Sequence, residues 1–121
     1  MTLNIKDKLK KFRDDYVINQ VKKIALPNFE SDVIRRCRVV FAGRVQKVGF
    51  RLEVLELAKR LDLTGFCRNL ESGEVLVELQ GASNKIDYLI TFMENLKRIK
   101  IKNKKIKELE IDTTGKEFLK L

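Results

Sequence analysis

The 121 residues contain no histidine and no tryptophan, a single proline and only two cysteines. Without histidine the commonest general base is missing, and with it most Ser/His and Cys/His nucleophile schemes. Cys37 and Cys67 form no Cys-x-x-Cys motif, which together with the missing histidine speaks against a zinc site. Both are expected on strands, free and buried, behaving as small apolar residues. No apolar run approaches the ~20 residues needed to cross a bilayer. Met1 to Phe12 has no continuous apolar segment of the signal-peptide kind. The expectation is therefore one domain of cytoplasmic type.

Charge, by contrast, is abundant. The net charge of +9 is uneven: residues 1–36 carry +4, residues 37–96 are neutral and residues 97–121 carry +5. Seven cations fall in the eleven positions from Lys97 to Lys107. Such a run could meet nucleic acid or anionic lipid. The plainer reading is a solvated loop and an exposed strand face. No aromatic-interleaved basic motif of the RNA-recognition type accompanies it, so nucleic acid is not the favoured partner.

Residues 1–26 read as a charged helix. Ile5, Leu9, Phe12 and Tyr16 recur at spacings of four, three and four, giving one apolar stripe. Pro27 closes the helix, and residues 28–35 read as a linker. The stripe could pack on the domain, pair with a second copy or lie on a membrane surface. Packing or self-association is preferred, because the polar face mixes acids with bases.

From Arg36 to Val45 the period changes to two, with apolar residues on both faces: a central strand. A helix follows from about Arg51 to Leu61, marked by Leu52, Leu55, Ala58 and Leu61. A second strand covers Phe66 to Leu70, and Gly73 serves a hairpin turn into a third strand from Val75 to Gln80. Ser83 is the expected N-cap of a helix striped by Ile86, Leu89, Ile90, Met93 and Leu96. A fourth strand is expected from Ile106 through Asp112, and a short edge strand from Phe118 to Leu121. This order predicts an α+β domain over residues 36–121. The arrangement is a ferredoxin-like βαββαβ sandwich: one mostly antiparallel sheet with two helices on one face. Residues 1–35 form its N-terminal helical extension and linker.

Between the first strand and its helix lies Gly43-Arg44-Val45-Gln46-Lys47-Val48-Gly49-Phe50-Arg51. A strand-to-helix turn with two glycines aims backbone N–H groups and the positive helix end at whatever binds there. The suited ligand is an anion, and Arg51 can add a bidentate fork.

These residues resemble the acylphosphatase signature Gly-x-Val-Gln-Gly-Val-x-Phe-Arg. Leu63-Thr64-Gly65-Phe66-Cys67-Arg68-Asn69 resembles the same family's second element, Leu-x-Gly-(Trp or Phe)-Val-x-Asn. Gly73-Glu74-Val75 and Gln80-Gly81 fall where the family has its hairpin and the glycine after strand three. The resemblance covers about residues 36–121 and implies metal-free, cofactor-free hydrolysis of an acyl phosphate to a carboxylate and inorganic phosphate. It implies Arg51 and Asn69 as the catalytic pair, Arg51 on the phosphoryl oxygens and Asn69 orienting the water. It implies Gln46, Lys47, Val48, Gly49, Phe50 and Arg51 as the phosphate-binding segment, which phosphate or sulfate could also occupy. Gln46 is expected to shape the loop and Phe50 to pack in the core. Glu53 and Glu56 are expected as helix-surface charges.

Lys47 departs from the pattern, standing where the family usually has glycine. If that position needs φ > 0, lysine costs about 1 kcal/mol or more in strain. Its ammonium could instead add charge beside the anion. An alternative to the enzyme is a non-catalytic module of the same fold, binding RNA or an acidic protein through its anion pocket and basic extensions.

Overall fold

The computed structural model describes residues 4–121. The elements in order are α1 (Ile5–Lys23), β1 (Ile34–Arg44), α2 (Phe50–Arg60), β2 (Thr64–Asn69), β3 (Val75–Ala82), α3 (Ser83–Glu94), β4 (Lys100–Leu109) and β5 (Phe118–Lys120). One five-stranded sheet runs β4-β1-β3-β2-β5, antiparallel throughout except for the β2–β5 pair. The expected ferredoxin-like order is therefore present, with β1 between β3 and β4.

Period-two alternation decides which strand residues meet the helices. Cys37, Val39 and Phe41 of β1 lie opposite Leu79, Val77 and Val75 of β3, and all six are buried. Against them pack Val54, Leu57 and Ala58 of α2 and Ile86, Leu89, Ile90 and Met93 of α3. On the other face of the sheet Glu78 accepts from Arg36 and Arg38, each at 2.7 Å. Both cysteines are free and buried, as expected.

Three elements differ from the sequence expectation. The strand expected from Ile106 begins instead at Lys100, inside the basic run. Its outer side faces solvent as a sheet edge, where a lysine-rich strand is stable and resists pairing with other chains. Ile99 is buried and Ile101 packs on the core, which anchors the strand's beginning. Ser83 does not cap α3 but is its first residue. Ala82 takes the N-cap position, and the Asp32 carboxylate, from the linker before β1, accepts from the first-turn N–H of Asn84 at 2.9 Å and from the N–H of Val33 at 2.8 Å.

The third difference concerns α1. It ends at Lys23, where Ile24 turns extended, rather than running to Leu26, and the part of the expected helix over residues 1–3 lies outside the described residues. The stripe expected to pack does not: Ile5, Leu9, Phe12 and Tyr16 are all exposed. Val17 and Val21 are the buried residues of the helix. Pairs with other elements choose this face. Arg60 at the end of α2 donates to the Val21 and Ile24 carbonyls at 2.7 and 2.5 Å, while Arg13 donates to the Lys47 carbonyl near the start of α2 at 3.1 Å. The two helices thus run side by side in the same direction.

Candidate active site

The turn between β1 and α2 is built as the sequence predicts, and its backbone is special at two positions. Gly49 is left-handed, with φ 80°, and forms the N-cap of α2. A Cβ there would come within 3.3 Å of Arg13 Nε. Lys47 has φ 62°, so the position usually occupied by glycine does demand positive φ, and lysine accepts it. The strain is about 1 kcal/mol for an L residue.

Side chains from four directions hold this turn. Gln46 Nε2 donates to the carbonyls of Leu70 and Glu74 at 2.8 and 2.9 Å, tying the loop to the β2–β3 turn. This is the loop-shaping role expected of it. Phe50 is buried against Phe41, ring centroids 5.1 Å apart, again as expected. Arg98 Nε donates to the Val48 carbonyl at 2.7 Å, and Arg13 takes the Lys47 carbonyl. In a trans peptide the N–H of the next residue points opposite the carbonyl. Guanidinium groups that hold the carbonyls of 47 and 48 therefore turn the N–H groups of Val48 and Gly49 the other way. Among the described residues no protein acceptor takes the N–H groups of Gln46 to Arg51. For Phe50 and Arg51 this is the ordinary condition of a helix's first turn.

Arg51 and Asn69 line one open cavity of about 590 Å³ together with Lys47. Asn69 ends β2 and is exposed. Arg51 Nη1 donates to the Leu121 main-chain oxygen at 2.6 Å, beyond the end of β5. Cys67, two residues before Asn69, lies in the core and donates through Sγ to the Arg51 carbonyl at 3.7 Å. Burial pushes the Cys67 thiol up to about 12, so it stays protonated and takes no part as a nucleophile.

Glu53 contradicts the expectation of a surface charge. It is fully buried, and its Oε1 accepts from Arg98 Nη2 at 3.0 Å. Burial raises its carboxyl above the ordinary value, and the Arg98 hydrogen bond and charge offset part of that rise. Position 53 is expected outward because a carboxylate is ordinarily exposed. Only the return of Arg98, 45 residues later, supplies a partner that lets a carboxylate be buried there. Arg98 carries no local signal; Glu53 does, because it falls at helical spacing with the buried Phe50, Val54 and Leu57. Arg13 was also missed, though it lies one helical face with the buried Val17.

Fold and site together define a ferredoxin-like domain with a cationic strand-to-helix turn open to an anion. The acylphosphatase family model matches residues 37–119. A curated acylphosphatase from Chlorobaculum tepidum is 41% identical over 85 residues, 69% of this chain and 92% of the relative. The structure of an acylphosphatase from Coxiella burnetii superposes with a TM-score of 0.67 at 26% identity, covering 73% of this chain and 93% of that one. An acylphosphatase from Bacillus subtilis shares the fold, with a TM-score of 0.67 over 74% of this chain and 99% of its own. The chain belongs to the acylphosphatase family of enzymes. Among the described residues no helix is long and apolar enough to cross a membrane.

Proposed function

We propose that the chain hydrolyses the carboxyl–phosphate bond of an acyl phosphate, with Arg51 and Asn69 as its catalytic residues. The observation that carries this is the shared cavity of Arg51, Asn69 and a loop whose N–H groups have no protein acceptor. The phosphoryl group sits at the start of α2, where the amides of residues 46–51, the helix dipole and the Arg51 guanidinium act on it together. Arg51 exchanges its contact with Leu121 for phosphoryl oxygens. The Asn69 amide orients the attacking water.

The leaving group is a carboxylate whose conjugate acid has a pKa of roughly 4, so it departs without a general acid. Phosphoryl transfer passes through a loose transition state in which positioning and charge stabilisation dominate. A substrate oxygen accepts the water's proton, and no histidine is required.

The test is phosphate release from acetyl or benzoyl phosphate, without added metal, by the wild-type chain, Arg51→Gln and Asn69→Ala. Loss of Arg51 should lower kcat/KM by about 10²–10³, the usual effect of removing a strong transition-state donor. A wild-type rate no better than either variant would sink the reading.

A further inference from the structure

Helix α1 lies outside the residues that the family model matches, yet it forms a wall of the site. Down one face follow Lys6, Lys10, Arg13, Val17 and Val21, at spacings of four, three, four and four. That is a single stripe of an α-helix. Its C-terminal half is apolar and buried on the domain: Val17 is 0% and Val21 1% exposed. Its N-terminal half is cationic. The change falls where the helix passes Gly49, at the start of α2. Because α1 and α2 run in the same direction, residues 6–13 project about 10 Å beyond that point, over the loop.

The cavity there is lined by Lys6, Asp7, Lys10 and Arg13 of α1 as well as Lys47, Arg51 and Asn69. Its charged groups are five cations and one acid. Arg13 is already engaged, by the Lys47 carbonyl and by Asp14 at 3.0 Å. Lys11, on another face, is neutralised by Asp15 at 2.8 Å. Among the described residues Lys6 and Lys10 make no ion pair within 4 Å. They stand one to two helical turns from Arg13, about 5–10 Å along the axis. Lys10 also lines the smaller cavity of about 90 Å³ beside Gly49, Phe50, Arg51 and Asn69, whereas Lys6, one turn further out, lines only the wider one. This outward order of charges fits a second anionic group at the far end of a short acyl chain.

We propose that α1 is a specificity wall, with Lys6 and Lys10 binding a second anionic group on the substrate. The preferred substrate is then an acyl phosphate whose acid carries another carboxylate or phosphate. The substrate class rests on the hydrolysis proposed above; the two-anion recognition does not.

The experiment compares succinyl phosphate with acetyl phosphate on the wild-type chain and on Lys6→Ala/Lys10→Ala. The double variant should lose about five- to tenfold in kcat/KM for succinyl phosphate, through KM, and less than about twofold for acetyl phosphate, as expected for two exposed charge pairs. The wild-type preference should shrink between about 50 mM and 500 mM salt, because exposed charges are screened. Equal losses on both substrates, or no wild-type preference, would overturn the proposal. If neither substrate is hydrolysed, the hydrolysis reading fails, and calorimetric binding of succinyl phosphonate against acetyl phosphonate decides the matter. Tighter binding of the former that is lost in the double variant upholds two-anion recognition, and equal binding overturns it.

Discussion

Replacing Arg98 with methionine asks whether the loop between β1 and α2 is held by a buried charge pair. Methionine keeps much of the length and removes the guanidinium. Two contacts go: Nε to the Val48 carbonyl at 2.7 Å and Nη2 to Glu53 at 3.0 Å. Glu53 is left fully buried, and its Oε2 has no partner even in the wild-type chain. Breaking a buried pair from one side costs about 3–5 kcal/mol. The Arg98 side chain is 23% exposed, so water can reach the vacated place and the lower figure applies. The lost Val48 bond adds about 1 kcal/mol. A total of about 3–4 kcal/mol should leave a domain of ordinary stability folded. Urea unfolding should show a lower midpoint at unchanged slope. A loss under about 1 kcal/mol, the value of a single hydrogen bond, would refute the reasoning.

The same variant carries a pH signature. Burial holds the Glu53 carboxyl above its ordinary 4.5, and Arg98 pulls it back down. Without Arg98 it rises further. Between the ordinary value and the raised one, the folded chain binds a proton that the unfolded chain releases. Stability therefore increases as pH falls through that window and is lowest above it. Arg98→Met should gain more stability than wild type on acidification from about pH 7 to 5, because its window is wider. A flat profile in the variant would contradict burial as the cause. Adding Glu53→Gln should recover about half the lost stability by removing the unpaired charge, without restoring the Val48 anchor.

Gln46→Ala removes two hydrogen bonds to main-chain carbonyls and should cost about 2 kcal/mol in urea unfolding, with a lower kcat from a loosened loop. A stable variant of full activity would show that the tie to the β2–β3 turn does not matter. Lys47→Gly relieves the positive-φ strain, offset in part by glycine's freedom in the unfolded chain, so stability should rise by about 0.5 kcal/mol. A fall in the urea midpoint would mean that the lysine side chain contributes more than its backbone costs. Burial raises both thiols, Cys67 to about 12, so the folded chain should resist a disulfide reagent near pH 8 and expose two reactive thiols in denaturant. Rapid labelling of the native chain would contradict the buried positions.

The sequence by itself determined the order of strands and helices over the domain, the turn from Gly43 to Arg51 and its pairing with Asn69. These are local matters: period two against 3.6, glycines at turns, and two motifs read residue by residue. It also marked Lys47 as a strained position, because a left-handed turn is a backbone property that glycine usually supplies. Only the tertiary structure decided which face of α1 docks, that Glu53 is buried, that Asp32 meets the first turn of α3 and that β4 begins within the basic run. A stripe pattern shows that a helix has an apolar face, but the partner surface chooses among faces. On α1 it took two valines and an arginine one residue along from the expected Ile5, Leu9, Phe12 and Tyr16. A carboxylate is buried only where a cation distant in sequence comes to meet it, and Arg98 does so for Glu53. The helix that the sequence showed as an appendage is thereby a wall of the site, because its cationic half lies over the loop only once its valines are seated on the core.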